Sequence, residues 1–195
     1  MNEIRSARLI PVAEYLASQS PSLGRHEYLE GSIYELESGS DVHNQIATNL
    51  LGALVRRLCG RSGRAFPSDT KVRVQSPFGT RFYYPDAQVV RLLNAPSDGF
   101  QDSPVVLVEV VSPSTRRIDE CEKREAYLTI PSLGVYLLVE EEHRLAIAWR
   151  RGEQGFVREA HTRDSVIPLP EVGCELPLAE VYDGVDPAWS AADAR

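Results

Sequence analysis

The chain has 195 residues, 43% of them hydrophobic, with 21 Lys and Arg against 28 Asp and Glu for a formal net charge of −7, and its pI is near 5.2. That length suits one core of ordinary size, no apolar run is long enough to span a membrane, and the acidic balance argues against a protein that coats nucleic acid by neutralising phosphates. Three cysteines, Cys59, Cys121 and Cys174, are odd in number and far apart, which points to reduced thiols in a soluble, cytoplasmic protein rather than a disulfide framework or structural zinc site.

Pro11 occupies a favourable first helical position and Val12, Tyr15 and Leu16 share one helical face, so a short helix opens the chain and Ser20-Pro21-Ser22 breaks it. "HEYLEGSIYELES" reads as a β-hairpin turning at Glu30-Gly31-Ser32, with Tyr28, Ile33 and Tyr34 as packing residues. Ser40 or Asp41 then caps a long helix whose stripe is Ile46, Leu50, Leu51, Leu54, Val55 and Leu58 and whose stop is Gly60. Between Arg56 and Arg81 lie Arg56, Arg57, Arg61, Arg64, Lys71, Arg73 and Arg81 against Asp69 alone. That stretch is either a basic surface or a solvated helix end and loop.

Strands are expected at "TKVRVQS", where Val72 and Val74 alternate with polar residues, and at "YYPDAQVVRLL", opened by proline. "PVVLVEVV" is apolar on both faces and therefore central in its sheet. "RRIDECEKREAYLTI" is a charged helix, and "LGVYLLVEEE", "RLAIAWRR" and "GFVREA" are further strands, the last two joined through Gly152 and Gly155. The order of elements predicts an α/β or α+β fold, a central mixed sheet flanked by helices with a C-terminal antiparallel hairpin. It occupies a single domain over residues 1–184, followed by a loose tail at 185–195.

Glu109 is the residue hardest to explain by packing. Strand alternation puts it on one face with Leu107 and Val111, and a carboxylate so placed must pair with a cation, bind a metal or take up a proton. Asp86 follows Pro85 as in an ordinary turn, but if its strand neighbours that of Glu109 the two carboxylates converge, a pair suited to Mg2+ or Mn2+. Lys123 lies on the next helix with Asp119 and Tyr127 one turn to either side; it could serve such a site or form a surface ion pair with Asp119. His43 stands in the first turn of the long helix, and no histidine pair has zinc-ligand spacing.

Together "YLEGSIYEL", "HNQIATNLLGAL", "YPDAQVV", "PVVLVEVVSPSTRRIDECEKREAYL" and "GVYLLVE" resemble the Uma-two family of restriction endonucleases over about residues 10 to 182. The resemblance implies the PD-(D/E)xK nuclease fold and a divalent-metal-dependent hydrolase acting on DNA. Asp86 and Glu109 would hold magnesium or manganese. The signature lysine two residues after the glutamate is missing, since that position is Val111, and the resemblance moves the role to Lys123. It also implies supporting roles for Glu30 as a further ligand, Asp119 as an orienter of Lys123 and His43 as a phosphate contact. Phosphate contacts are expected from Arg56, Arg57, Arg73 and Arg81, with Arg116 and Arg117 nearer the site, and a homodimer is expected where both strands are cut. The alternative is a catalytically inactive binding or assembly module that keeps the fold, favoured by the acidic pI and the lost triplet.

Overall fold

Valine and leucine on both faces of the run 105–111 require a place in the interior. The run is buried in the computed structural model, which describes residues 2–4, 8–18 and 24–185. The chain starts with β1 (Asn2–Ile4), α1 (Val12–Ser18), the hairpin of β2 (His26–Leu29) and β3 (Ser32–Glu35), and the long helix α2 (Asp41–Leu58). It continues through β4 (Arg64–Pro67), β5 (Lys71–Ser76), β6 (Gly79–Tyr83), β7 (Ala87–Val90), β8 (Phe100–Gln101) and β9 (Pro104–Val111). A π-helical turn (Ile118–Lys123) runs into α3 (Arg124–Tyr127). Then follow β10 (Val135–Glu140), β11 (Leu145–Gly152), β12 (Gly155–Thr162), β13 (Val166–Leu169), β14 (Cys174–Pro177) and α4 (Leu178–Val181). The tail expected at 185–195 lies outside the described residues except for Val185, which is buried against the core.

Two six-stranded sheets form, ordered β1-β3-β2-β6-β5-β8 and β12-β11-β10-β9-β7-β4, with β13 and β14 a separate antiparallel hairpin. Each is antiparallel apart from one parallel pair, β5 with β8 and β9 with β10. The mixed sheet expected from sequence is thus present twice. One change of sheet falls at Tyr84-Pro85-Asp86, between β6 of one sheet and β7 of the other. Proline has no N–H with which to continue a ladder, so the chain leaves one sheet there and enters the next. The stretch read as a basic loop contains β4, which pairs with β7.

The faces of β9 divide as alternation requires. Val106, Val108 and Val110 meet Ile46, Leu50, Leu54 and Leu58 of α2, together with the C-terminal hairpin. Leu107 and Val111 meet Val72, Val74 and Tyr83 of the other sheet and Tyr127 of α3. On the far side of that sheet, Tyr15 of α1 packs with Tyr28, Phe82 and Phe100. Glu109 therefore points between the two sheets.

The cap of α2 is Ser40, whose Oγ accepts the His43 N–H at 3.0 Å, and the helix ends before Gly60, which takes φ +73°. Its stripe differs from expectation in one place: Val55 is exposed and Ala53 is buried instead. Eighteen residues make α2 roughly 27 Å long. His43 and Arg56–Arg57 are consequently at opposite ends of α2.

Leu54 is fully buried between α2 and the second sheet. Leu54→Ala is expected to cost about 2 to 5 kcal/mol, measured as a lower urea midpoint at unchanged m-value.

Candidate active site

The antiparallel register of β7 and β9 pairs Ala87 with Val108. Asp86, one residue before β7, therefore stands beside Glu109. Its Oδ2 accepts the Val110 N–H at 2.7 Å, supplying an acceptor where the β7 ladder has not yet begun, and its Oδ1 lies 3.1 Å from His43 Nε2 at the start of α2. Strand and helix together fix this carboxylate.

Lys123 reaches Glu109 from the π-helical turn. Its Nζ is 3.1 Å from Glu109 Oε1, 3.3 Å from Asp119 Oδ1 and 3.7 Å from Glu27 Oε1. Tyr127 O–H donates to the same Glu109 Oε1 at 2.8 Å. Lysine and both neighbouring acids are buried, so Asp119 and Lys123 are not a surface pair. The π turn between two α-helical stretches turns both residues of the i, i+4 pair inward, and such turns recur at functional sites.

Glu27 is the residue that sequence reasoning missed. The hairpin acid was expected at Glu30, but Glu30 and Gly31 both have positive φ, 54° and 107°, and form the two-residue turn itself. Glu30 then pairs with Arg81 at 2.7 Å and does not line the cleft. Alternation within β2 held the available signal: Tyr28 faces α1, so Glu27 and Leu29 face the other way, toward the second sheet. Glu27 Oε1 accepts the Tyr84 N–H at 3.2 Å, while its buried Oε2 has no hydrogen-bond partner.

The arginines do not assemble at this site. Arg56 and Arg57 pair with Glu180 at the far end of α2, Arg73 with Asp102 at 2.7 Å, and Arg116 with Glu140 at 2.6 Å and Glu120 at 2.9 Å. Arg117 is exposed at the helix start. An open depression of about 540 Å³ beside Arg56, Arg57 and Arg61 lies at that far end, where Glu180 and the Gly173 carbonyl already engage the three guanidinium groups.

A separate cleft of about 390 Å³ holds His43, Asp86, Glu109, Asp119, Lys123 and Glu27. Burial raises the pKa of Glu109, Asp119 and Glu27; Lys123 acts in the opposite direction, and the neighbouring carboxylates add to the rise. Burial works against the Lys123 ammonium, but Glu109, Glu27 and Asp119 outweigh it and hold that pKa well above the usual lysine range. For His43, burial is likewise opposed and outweighed, here by the hydrogen bond and charge of Asp86, so its pKa is raised. The site carries more carboxylates than cations.

Two sheets flanked by helices, with acids and a lysine gathered at the strand ends, define a nuclease-like protein. The chain belongs to the Uma2 family, described as "Putative restriction endonuclease", whose model matches residues 12–179. Two relatives from Synechocystis sp. (strain ATCC 27184 / PCC 6803 / Kazusa) are named as uncharacterized proteins. Protein sll1609 is 27% identical over 144 residues, covering 72% of this chain and 80% of its own length. Protein slr1290 is 26% identical over 174 residues, covering 88% and 90%. A crystal structure described as a putative nuclease belonging to DUF820, from Anabaena variabilis ATCC 29413, shares the fold with a TM-score of 0.72 and 17% identity, covering 89% of this chain and 97% of that one.

A carboxyl whose pKa rises on folding keeps a proton that the unfolded chain has released, so its contribution to stability declines as pH climbs above the unfolded value near 4.5. Without added metal, Glu109→Gln is expected to gain thermal stability relative to the wild type between pH 5 and pH 8. Melting temperatures of both proteins across that range check it; a difference independent of pH would contradict the assigned burial. Lys123→Met leaves the acids unpaired and is expected to cost about 3 to 5 kcal/mol at pH 8, and less at pH 5, in urea titrations.

Proposed function

We propose that the protein is a divalent-metal-dependent endonuclease that hydrolyses DNA phosphodiester bonds at the cleft holding Asp86, Glu109 and Lys123. The observation that carries this reading is the 3.1 Å approach of Lys123 Nζ to Glu109 Oε1. It supplies from the following helix the acid–lysine pairing that Val111 withholds from the strand.

The donor set fits a hard divalent cation. Glu27, Asp86, Glu109 and Asp119 surround one ammonium and one imidazole, an excess of negative charge that a cation offsets, and Glu27 Oε2 is a buried acceptor with no donor. Among the described residues no three His, Cys, Asp or Glu side chains form a ready-made metal-binding group. Magnesium or manganese, held by one or two carboxylates with water completing the shell, asks for fewer protein ligands than zinc. Asp86 and Glu109 would hold it. When bound, such an ion neutralises charge on a phosphate oxygen and lowers the pKa of water.

The chain's own groups have distinct tasks. Lys123, kept charged by three carboxylates, donates hydrogen bonds toward the phosphate and stabilises the charge that develops there. Asp119 holds that ammonium from one turn away, and Tyr127 holds Glu109 by its Oε1. Asp86 cannot swing, because the Val110 N–H and His43 engage one oxygen each. Positioning of this kind removes reorganisation from the reaction step.

Negatively supercoiled plasmid, which opens unpaired segments under torsion, tests the assignment when incubated with magnesium or manganese. Wild type is expected to nick it, with loss of cutting on chelation, and Glu109→Gln and Asp86→Asn are each expected to lose at least about 100-fold in rate. Equal cutting by the variants would reassign the site. No cutting of plasmid or of single-stranded DNA by the wild type with either metal would favour the binding-module reading.

A further inference from the structure

The groups that would touch a phosphate lie deep. Glu109 and Asp119 are each 2% exposed, Lys123 is 6% exposed, and Glu27 is inaccessible. A phosphodiester must therefore descend into the cleft of about 390 Å³ rather than rest on its surface. Around the mouth stand Glu35 and Glu37, both exposed at the end of β3, and Glu141 at the end of β10, joined to the cap residue Ser40. Between them the rim offers neutral hydroxyls, Ser38, Ser112 and Ser114. One arginine, Arg25, lines the cleft with its Nη1 on the Ser68 carbonyl at 3.3 Å, while Arg116 is held by Glu140 and Glu120, and Arg73, Arg56 and Arg57 are paired away from the cleft.

We infer that the cleft takes its phosphodiester from an unpaired, single-stranded segment of DNA and rejects intact duplex; this rests on the nuclease reading above. A duplex is a stiff rod with one negative charge per roughly 1.7 Å of its axis. To lower one phosphate to Glu109 it must hold the flanking phosphates of both strands against Glu35, Glu37 and Glu141, three acids to the one lining arginine, Arg25. A single strand carries half that charge per unit length, and its backbone rotates freely enough to drop one phosphate inward while its neighbours stay in solvent. One site completes such a cut, so the dimer expected for double-strand cleavage is not required.

The test uses the whole protein with manganese and fluorescent oligonucleotides of one sequence, presented as a single strand, as a full duplex and as a duplex with a central unpaired bubble. The single strand and the bubble are expected to be cut at least about tenfold faster than the duplex, with bubble cuts confined to unpaired positions. The double variant Glu35→Gln/Glu37→Gln, altered only at exposed positions, is expected to narrow the gap by raising the duplex rate. Duplex cut as fast as single strand, or a gap unchanged in the double variant, overturns the inference while leaving the nuclease reading intact. Failure to cut any of the three overturns both.

Discussion

A buried lysine held by buried carboxylates is the constraint on which the rest of the structure depends. Lys123 meets Glu109 from β9, Asp119 from its own helix and Glu27 from β2, so one ammonium ties together both sheets and the helix packed between them. Removing such groups from water is costly, and an apolar cluster of equal volume would commonly be as stable or more so. Stability alone does not account for the cluster. The proposed function gives its surplus of carboxyls a use, as a place where a cation and a phosphate would meet.

The fold converts that constraint into geometry by local means. Pro85 ends one sheet and delivers Asp86 at the start of β7, where the Val110 N–H is waiting for an acceptor. The Ser40 cap starts α2 at the same edge, bringing His43 onto the other oxygen of Asp86. The π-helical turn presents Asp119 and Lys123 together, and Tyr127, farther along the same segment, reaches the glutamate. Each is a short-range backbone feature, yet all three converge on one cleft.

Much of this was legible in the sequence because it follows from periodicity. The alternation of β9 put Glu109 opposite its valine face and the stripe of α2 marked the face by which the long helix packs, whereas Lys123 came through the family resemblance. What was not legible depended on partners distant in the chain. Glu30 and Glu27 are three residues apart in one hairpin, and it is Glu27, on the inward face of β2, that meets Lys123 from a helix far later in the chain. The arginines read as a basic surface because their acids, Glu180, Asp102 and Glu140, come much later in the sequence. Two sheets rather than one emerge because the chain alternates between them from β3 to β9, which a run of β-forming residues conceals.

The central claim, that Asp86 and Glu109 hold a divalent ion beside Lys123, is tested most directly by manganese binding to the purified protein, followed by the loss of the free-ion electron paramagnetic resonance signal. The expected result is a saturable site in the wild type that is lost in Glu109→Gln and in Asp86→Asn, with both variants folded by circular dichroism. Equal manganese affinity in all three proteins, or no saturable site in the wild type, would contradict it.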